Sequence, residues 1–251
     1  MSIARKSWSW IGFHGSWLVA VLVLASSSYA AWYDQDPAVV SGIPDIKLTE
    51  GAKQAGAECS EVACANVIKY FDQHGYPDLI AAGTSDEDVL IEMADENEYN
   101  FGTPLGPLVA LNKYIKDKGY KNKLAAHNVD LTWDKIVEEM KKGQLLVLSF
   151  DFGGQGRHEV TIGGWDNTPA RQLGIQDVNS PPPSSGGSSY TGTVGTTDFY
   201  TVTMKPDGSF TFKYKDGAEA VPEKITAVSP VPEPASLLLL GLGSLLVLRR
   251  R

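Results

Sequence analysis

The side chains whose types and order would support acyl-transfer chemistry are a thiol, an imidazole, a carboxylate and a carboxamide: Cys59, His158, Asp177 and Gln54. In such a set the thiolate attacks a carbonyl, the imidazole takes and returns a proton, and the carboxylate orients the ring. The carboxamide donates a hydrogen bond to the oxyanion. Cys59 falls at the expected start of a helix, where unpaired backbone N–H groups and the helix dipole favour a thiolate. His158 opens an expected strand after the turn Gly153-Gly154-Gln155-Gly156, Asp177 ends a later strand, and Gln54 precedes Cys59 by five residues. Three of them have a plainer alternative. Cys59 would be an inert core cysteine, His158 a strand histidine without chemistry, and Asp177 a turn cap, with Asn179 taking its place as orienter. Cys64 sits on the apolar face and reads as core, while His74 and His127 read as surface residues near helix ends.

The elements that must position these groups follow from hydrophobic periodicity. Cys64, Val67, Ile68 and Phe71 recur at the spacing of one helical face, and Gly75 and Pro77 end that helix. Helices are expected over Asp86–Ala94, Leu105–Lys118 and Trp133–Met140. Strands are expected over Leu145–Phe150, His158–Trp165, Leu173–Val178, Phe199–Met204 and Phe210–Tyr214. Pro206-Asp207-Gly208 signals a hairpin between the last two, and Ser180–Ser189 reads as a loop or spacer. Helices followed by strands imply an α+β domain with segregated layers. Cys59 and Cys64 on one helix would stand about 7.5 Å apart, beyond disulfide reach, so two free thiols are expected.

Both ends of the chain read as processing or sorting segments. Arg5 and Lys6, the apolar run Trp17–Ala25 and the small residues up to Ala30 have the order of a signal peptide over residues 1–30. Residues 31–50, with Pro37 and Pro44, read as an exposed lead-in to a domain over 51–230. At the far end, Ala235–Leu248 is apolar and Arg249, Arg250 and Arg251 follow. Fourteen residues fall short of a full span, so this stretch reads as a short membrane helix or a sorting signal. Between the ends, residues 31–230 carry 17 basic and 29 acidic residues, a net charge of −12. That balance disfavours nucleic acid and bare anionic lipid as general partners. No cluster has metal-ligand spacing and no glycine-rich turn opens a helix, so neither metal nor cofactor is expected.

Two resemblances sharpen this reading. Val231-Pro232-Glu233-Pro234, the short apolar segment and the terminal arginines resemble the sorting signal of PEP-CTERM proteins. That resemblance implies a Gram-negative bacterium, recognition of residues 231–251 by an exosortase-type membrane enzyme, and passage to the outer surface or an extracellular polymer matrix. Gln54-Ala-Gly-Ala-Glu-Cys59, then Val62 to Phe71, resembles the active-site helix of papain-like peptidases of the C39-like group. His158-Glu159-Val160-Thr161-Ile162-Gly163-Gly164-Trp165-Asp166 is similar to that family's histidine strand, and Ile175-Gln176-Asp177 to the strand of its orienting acid. The resemblance implies a papain-like α+β fold, N-terminal helices packed on an antiparallel sheet. It also implies a thiol peptidase or amidase acting on a peptide or protein, with Cys59 as nucleophile, His158 as base, Asp177 as orienter and Gln54 at the oxyanion. Ser60 and Glu61 depart from the family pattern, and the Glu61 carboxylate beside the nucleophile opposes its ionisation unless the side chain points to solvent or caps its own helix. The competing expectation is a non-catalytic domain serving as a surface or matrix binding module.

Overall fold

In the computed structural model, residues 38–40, 42–54, 58–96, 106–152, 156–167, 171–176, 198–214 and 217–231 are described. Along the chain these form β1 (Ala38–Val39), α1 (Glu50–Gln54), α2 (Cys59–Gln73), α3 (Asp86–Glu96) and α4 (Pro107–Asp117). There follow β2 (Leu124–Val129), α5 (Trp133–Lys141), β3 (Leu145–Phe152), β4 (Arg157–Asp166), β5 (Gln172–Gln176), β6 (Asp198–Met204), β7 (Phe210–Lys213) and β8 (Glu219–Pro230).

From β3 to β8 each strand pairs antiparallel with the next. Strand β8 then returns to pair with β3, so the six strands close into an antiparallel barrel. This corrects the expectation of a papain-like, C39-like α+β fold with N-terminal helices packed on an antiparallel sheet. The physical reason lies in β8, whose proline and charged residues hide it from a reading by alternation. Pro222 has no N–H to give, and it sits where the β3–β8 register slips between Ser149↔Lys224 and Phe150↔Pro222. The irregularity thus falls beside a residue that could not donate to the ladder.

Rings fill the barrel. Phe150 on β3 meets Phe212 on β7 at 5.1 Å and Tyr214 at 4.9 Å between centroids, both edge to face. Strand β8 lies between β3 and β7, so these rings can touch only through the interior. At one end Trp133, which opens α5, packs edge to face on Phe210 and donates its indole N–H to Asn167 Oδ1 at 2.8 Å. The adjacent β6–β7 hairpin is the one expected at Pro206-Asp207-Gly208. Gly208 takes φ +83° there, and Asp207 Oδ1 accepts the Ser209 N–H at 3.0 Å.

The lead-in is not exposed throughout. Val40, Ile43 and Ile46 are buried, because β1 adds to β4 and buried side chains capture the following backbone. Asn66 Oδ1 accepts the Ile46 N–H at 3.0 Å, and Gln176 Nε2 donates to Pro44 O at 2.8 Å. Strand β2 extends the sheet beyond the barrel by pairing with the second half of β8. Its free edge is covered by Asn112 on α4, whose amide donates to Ala126 O and accepts from Ala126 N, both at 2.9 Å. A side chain here completes the pattern of a neighbouring strand.

No helix among the described residues is long and apolar enough to cross a membrane, which corrects the expectation of a transmembrane helix. The runs Trp17–Ala25 and Ala235–Leu248, on which it was based, lie outside the described residues, as does Ser180–Ser189. Replacing Asn112 by Ala should leave Ala126 without its two edge hydrogen bonds and cost about 1–3 kcal/mol in urea unfolding followed by tryptophan fluorescence. An unchanged midpoint would show that the edge needs no such cover.

Candidate functional site

Cys59 is the first residue of α2 and is half-buried. The helix begins there because Glu58 adopts an extended backbone and the Glu61 carboxylate reaches back to accept the Glu58 N–H at 2.7 Å. Glu61, only 2% exposed, is thus committed to capping its own helix. Its place directly after Ser60, which breaks the family pattern in sequence, has a structural cause.

Small residues let α2 lie close on the barrel. Ala63 O accepts the Thr161 hydroxyl of β4 at 3.2 Å, which sets the first two turns of α2 against that strand. Because side chains alternate along a strand, Glu159 shares the helix-facing side with Thr161. Its Oε1 accepts the Ser149 hydroxyl from the paired position on β3 at 2.7 Å. Its other oxygen is buried and has no hydrogen-bond partner among the described residues. Cys64 completes this layer at 1% exposure, and burial pushes its thiol well above the ordinary range, with Glu159, Glu61 and Cys59 adding to the effect. Both cysteines are free thiols, as the helical spacing requires.

His158 is the second residue of β4 and is half-buried. It projects from the alternate side of the strand, where its ring stands 5.6 Å from Phe150 and 5.7 Å from Tyr214. Those partners belong to the interior group, so His158 sits where the aromatic filling of the barrel reaches its rim. Of the four residues singled out, the fold brings the helix of Cys59 against the strand of His158, but the His158 ring lies on the opposite side of that strand from α2. Gln54 is the last residue of α1, and its side chain lies outside the described residues. Asp177, following the last residue of β5, and Asn179 lie outside them as well.

Sequence reading had not singled out Ser149 or Glu159, although both face the helix that carries the two thiols. Strict alternation from Thr161 would have found Glu159. Finding Ser149 needed the β3–β4 register, which depends on the turn between those strands.

Comparison with known proteins bears on one end of the chain. The family described as PEP-CTERM protein-sorting motif matches residues 230–251. No curated protein matches the chain. The expected kinship with C39-like peptidases thus gains nothing, and the protease and hydrolase readings have no family to rest on. What the match carries is export: this chain bears the signal by which an exosortase-type enzyme sorts exported proteins at the Gram-negative cell envelope.

Proposed function

We propose that the exported domain carries a thiol-based acyl-transfer site that cleaves a peptide or amide bond. The observation behind this reading is the half-buried Cys59 at the head of a 15-residue helix that is hydrogen-bonded to the strand of His158. In the reaction, the start of β4 must turn so that the His158 ring, which packs on Phe150 and Tyr214 on the side of the strand away from α2, reaches Cys59 and takes its proton. The thiolate then adds to the substrate carbonyl. The oxyanion is held by the Cys59 backbone N–H and the Gln54 amide. The amine leaves with the proton carried by His158, and water then releases the acyl group from the thioester. Asp177 is assigned the orientation of the imidazole. The route through the inner membrane to the outer surface or an extracellular polymer follows from the sorting signal and belongs to the same proposal.

A second reading is favoured by the packing of His158 against Phe150 and Tyr214. Those contacts suit a histidine that fills the barrel rim in a non-catalytic surface or matrix module. Alkylation kinetics separate the two. With iodoacetamide at pH 6.5, an active pair requires rapid labelling of Cys59 that slows about tenfold or more in His158→Ala. Slow labelling, indifferent to that substitution, would leave the binding module standing. Peptide mapping of the same samples should find Cys64 unmodified while the fold is intact and labelled once urea unfolds it, as its burial requires. Modification of Cys64 in the folded protein would contradict its place in the core.

A further inference from the structure

The sorting segment begins almost where the barrel ends. Strand β8 stops at Pro230, Val231 donates its N–H to Lys123 O at 2.8 Å, and Pro232 of the sorting motif follows. The surface around that exit is therefore the part of the domain nearest in the chain to the sorting segment.

The exit carries lysines in a domain of net charge −12. Residues 113–123 hold five lysines and one aspartate. Lys113 and Lys118 are tied to Glu96 and Glu92, whereas Lys116, Lys121 and Lys123 are exposed and make no ion pair among the described residues. Lys123 also projects over the Tyr120 ring, 5.0 Å from its centroid. On the other flank Lys141 and Lys142 end α5, and the turn after them enters β3 at Leu145, opposite Val228. Lys142 is paired with Glu138 and Glu139, but Lys141 is exposed and has no ion pair among the described residues. Two lysine-bearing turns thus flank the last residues of β8, one before β2 and one before β3.

We propose that this end of the barrel is a docking face for anionic phospholipid, seating the domain on the bilayer while the sorting segment tethers it. The acidic total does not oppose this. Charges are screened within about 8 Å at physiological ionic strength, so the groups next to the headgroups decide the local interaction. The face fits phosphate-bearing headgroups, which exposed ammonium groups bind as point charges without a shaped pocket.

The test uses the full chain and two vesicle populations, pure phosphatidylcholine and phosphatidylcholine with phosphatidylglycerol, compared by flotation. The tail contributes to both, and its arginines are common to every variant, so the readout is the ratio of the two partition coefficients. Losing one lysine near an anionic surface is worth about fivefold, so Lys121→Glu with Lys123→Glu, which also adds two negative charges, should lower that ratio by more than roughly 25-fold. Lys47→Glu with Lys213→Glu changes net charge equally, at exposed lysines far along the chain from the exit, and should leave the ratio near its starting value. Should the first pair fail to fold by circular dichroism, Lys121→Gln with Lys123→Gln decides, with a smaller drop in the same direction. An unchanged ratio in the exit variants, or an equal drop in the control pair, would overturn the proposal.

Discussion

The fold depends on one strand having partners on both edges. β8 lies between β7 and β3 along its first half, and between β2 and β3 along its second. Remove it and the remaining strands form an open meander with two raw edges and an aromatic layer exposed on one face. With it in place, Phe150, Phe212 and Tyr214 are enclosed, and Trp133 closes one end. The position of α2 is a secondary consequence, because the helix rests on β4 only where closure has fixed that strand's outward face.

That dependence also explains what was legible in the chain. The helices at 59–73, 86–96, 107–117 and 133–141 and the strands from β3 to β7 follow their periodicity within a few residues. Two strands do not. Leu124–Val129 has a histidine and an asparagine where a strand reading needs apolar residues, and its partner is distant in sequence. Glu219–Pro230 carries Pro222, Glu223 and Lys224 in its middle and looks like a polar terminal segment. Local pattern reports local preference, whereas the fate of β8 is decided by pairings with residues some 75 positions earlier. Missing that strand left helices packed on an antiparallel sheet as the expectation, and hid the closure into a barrel that the structure shows.

The candidate site was legible in part for the same reason. Cys59 at a helix start could be read from the run of small and apolar residues after it, and the buried place of Cys64 from its spacing to Val67, Ile68 and Phe71. The company of His158 could not, since Phe150 and Tyr214 reach it only through register and closure. The role of Glu61 was legible only as one of two alternatives, a side chain in solvent or a cap on its own helix. In sequence it is a charge beside a thiol, whereas in the fold its carboxylate is bound to the N–H of Glu58.

The short distance between β8 and the sorting segment has a mechanical meaning. A pull on the tail runs along the axis of β8, whose final residues are bonded to β2 on one side and β3 on the other. Force in that direction loads many hydrogen bonds at once, in shear, rather than opening them one by one as a pull across an edge strand would. Any load that reaches the tail during sorting at the cell envelope arrives in this geometry, and the barrel meets it at its most heavily paired strand among the described residues.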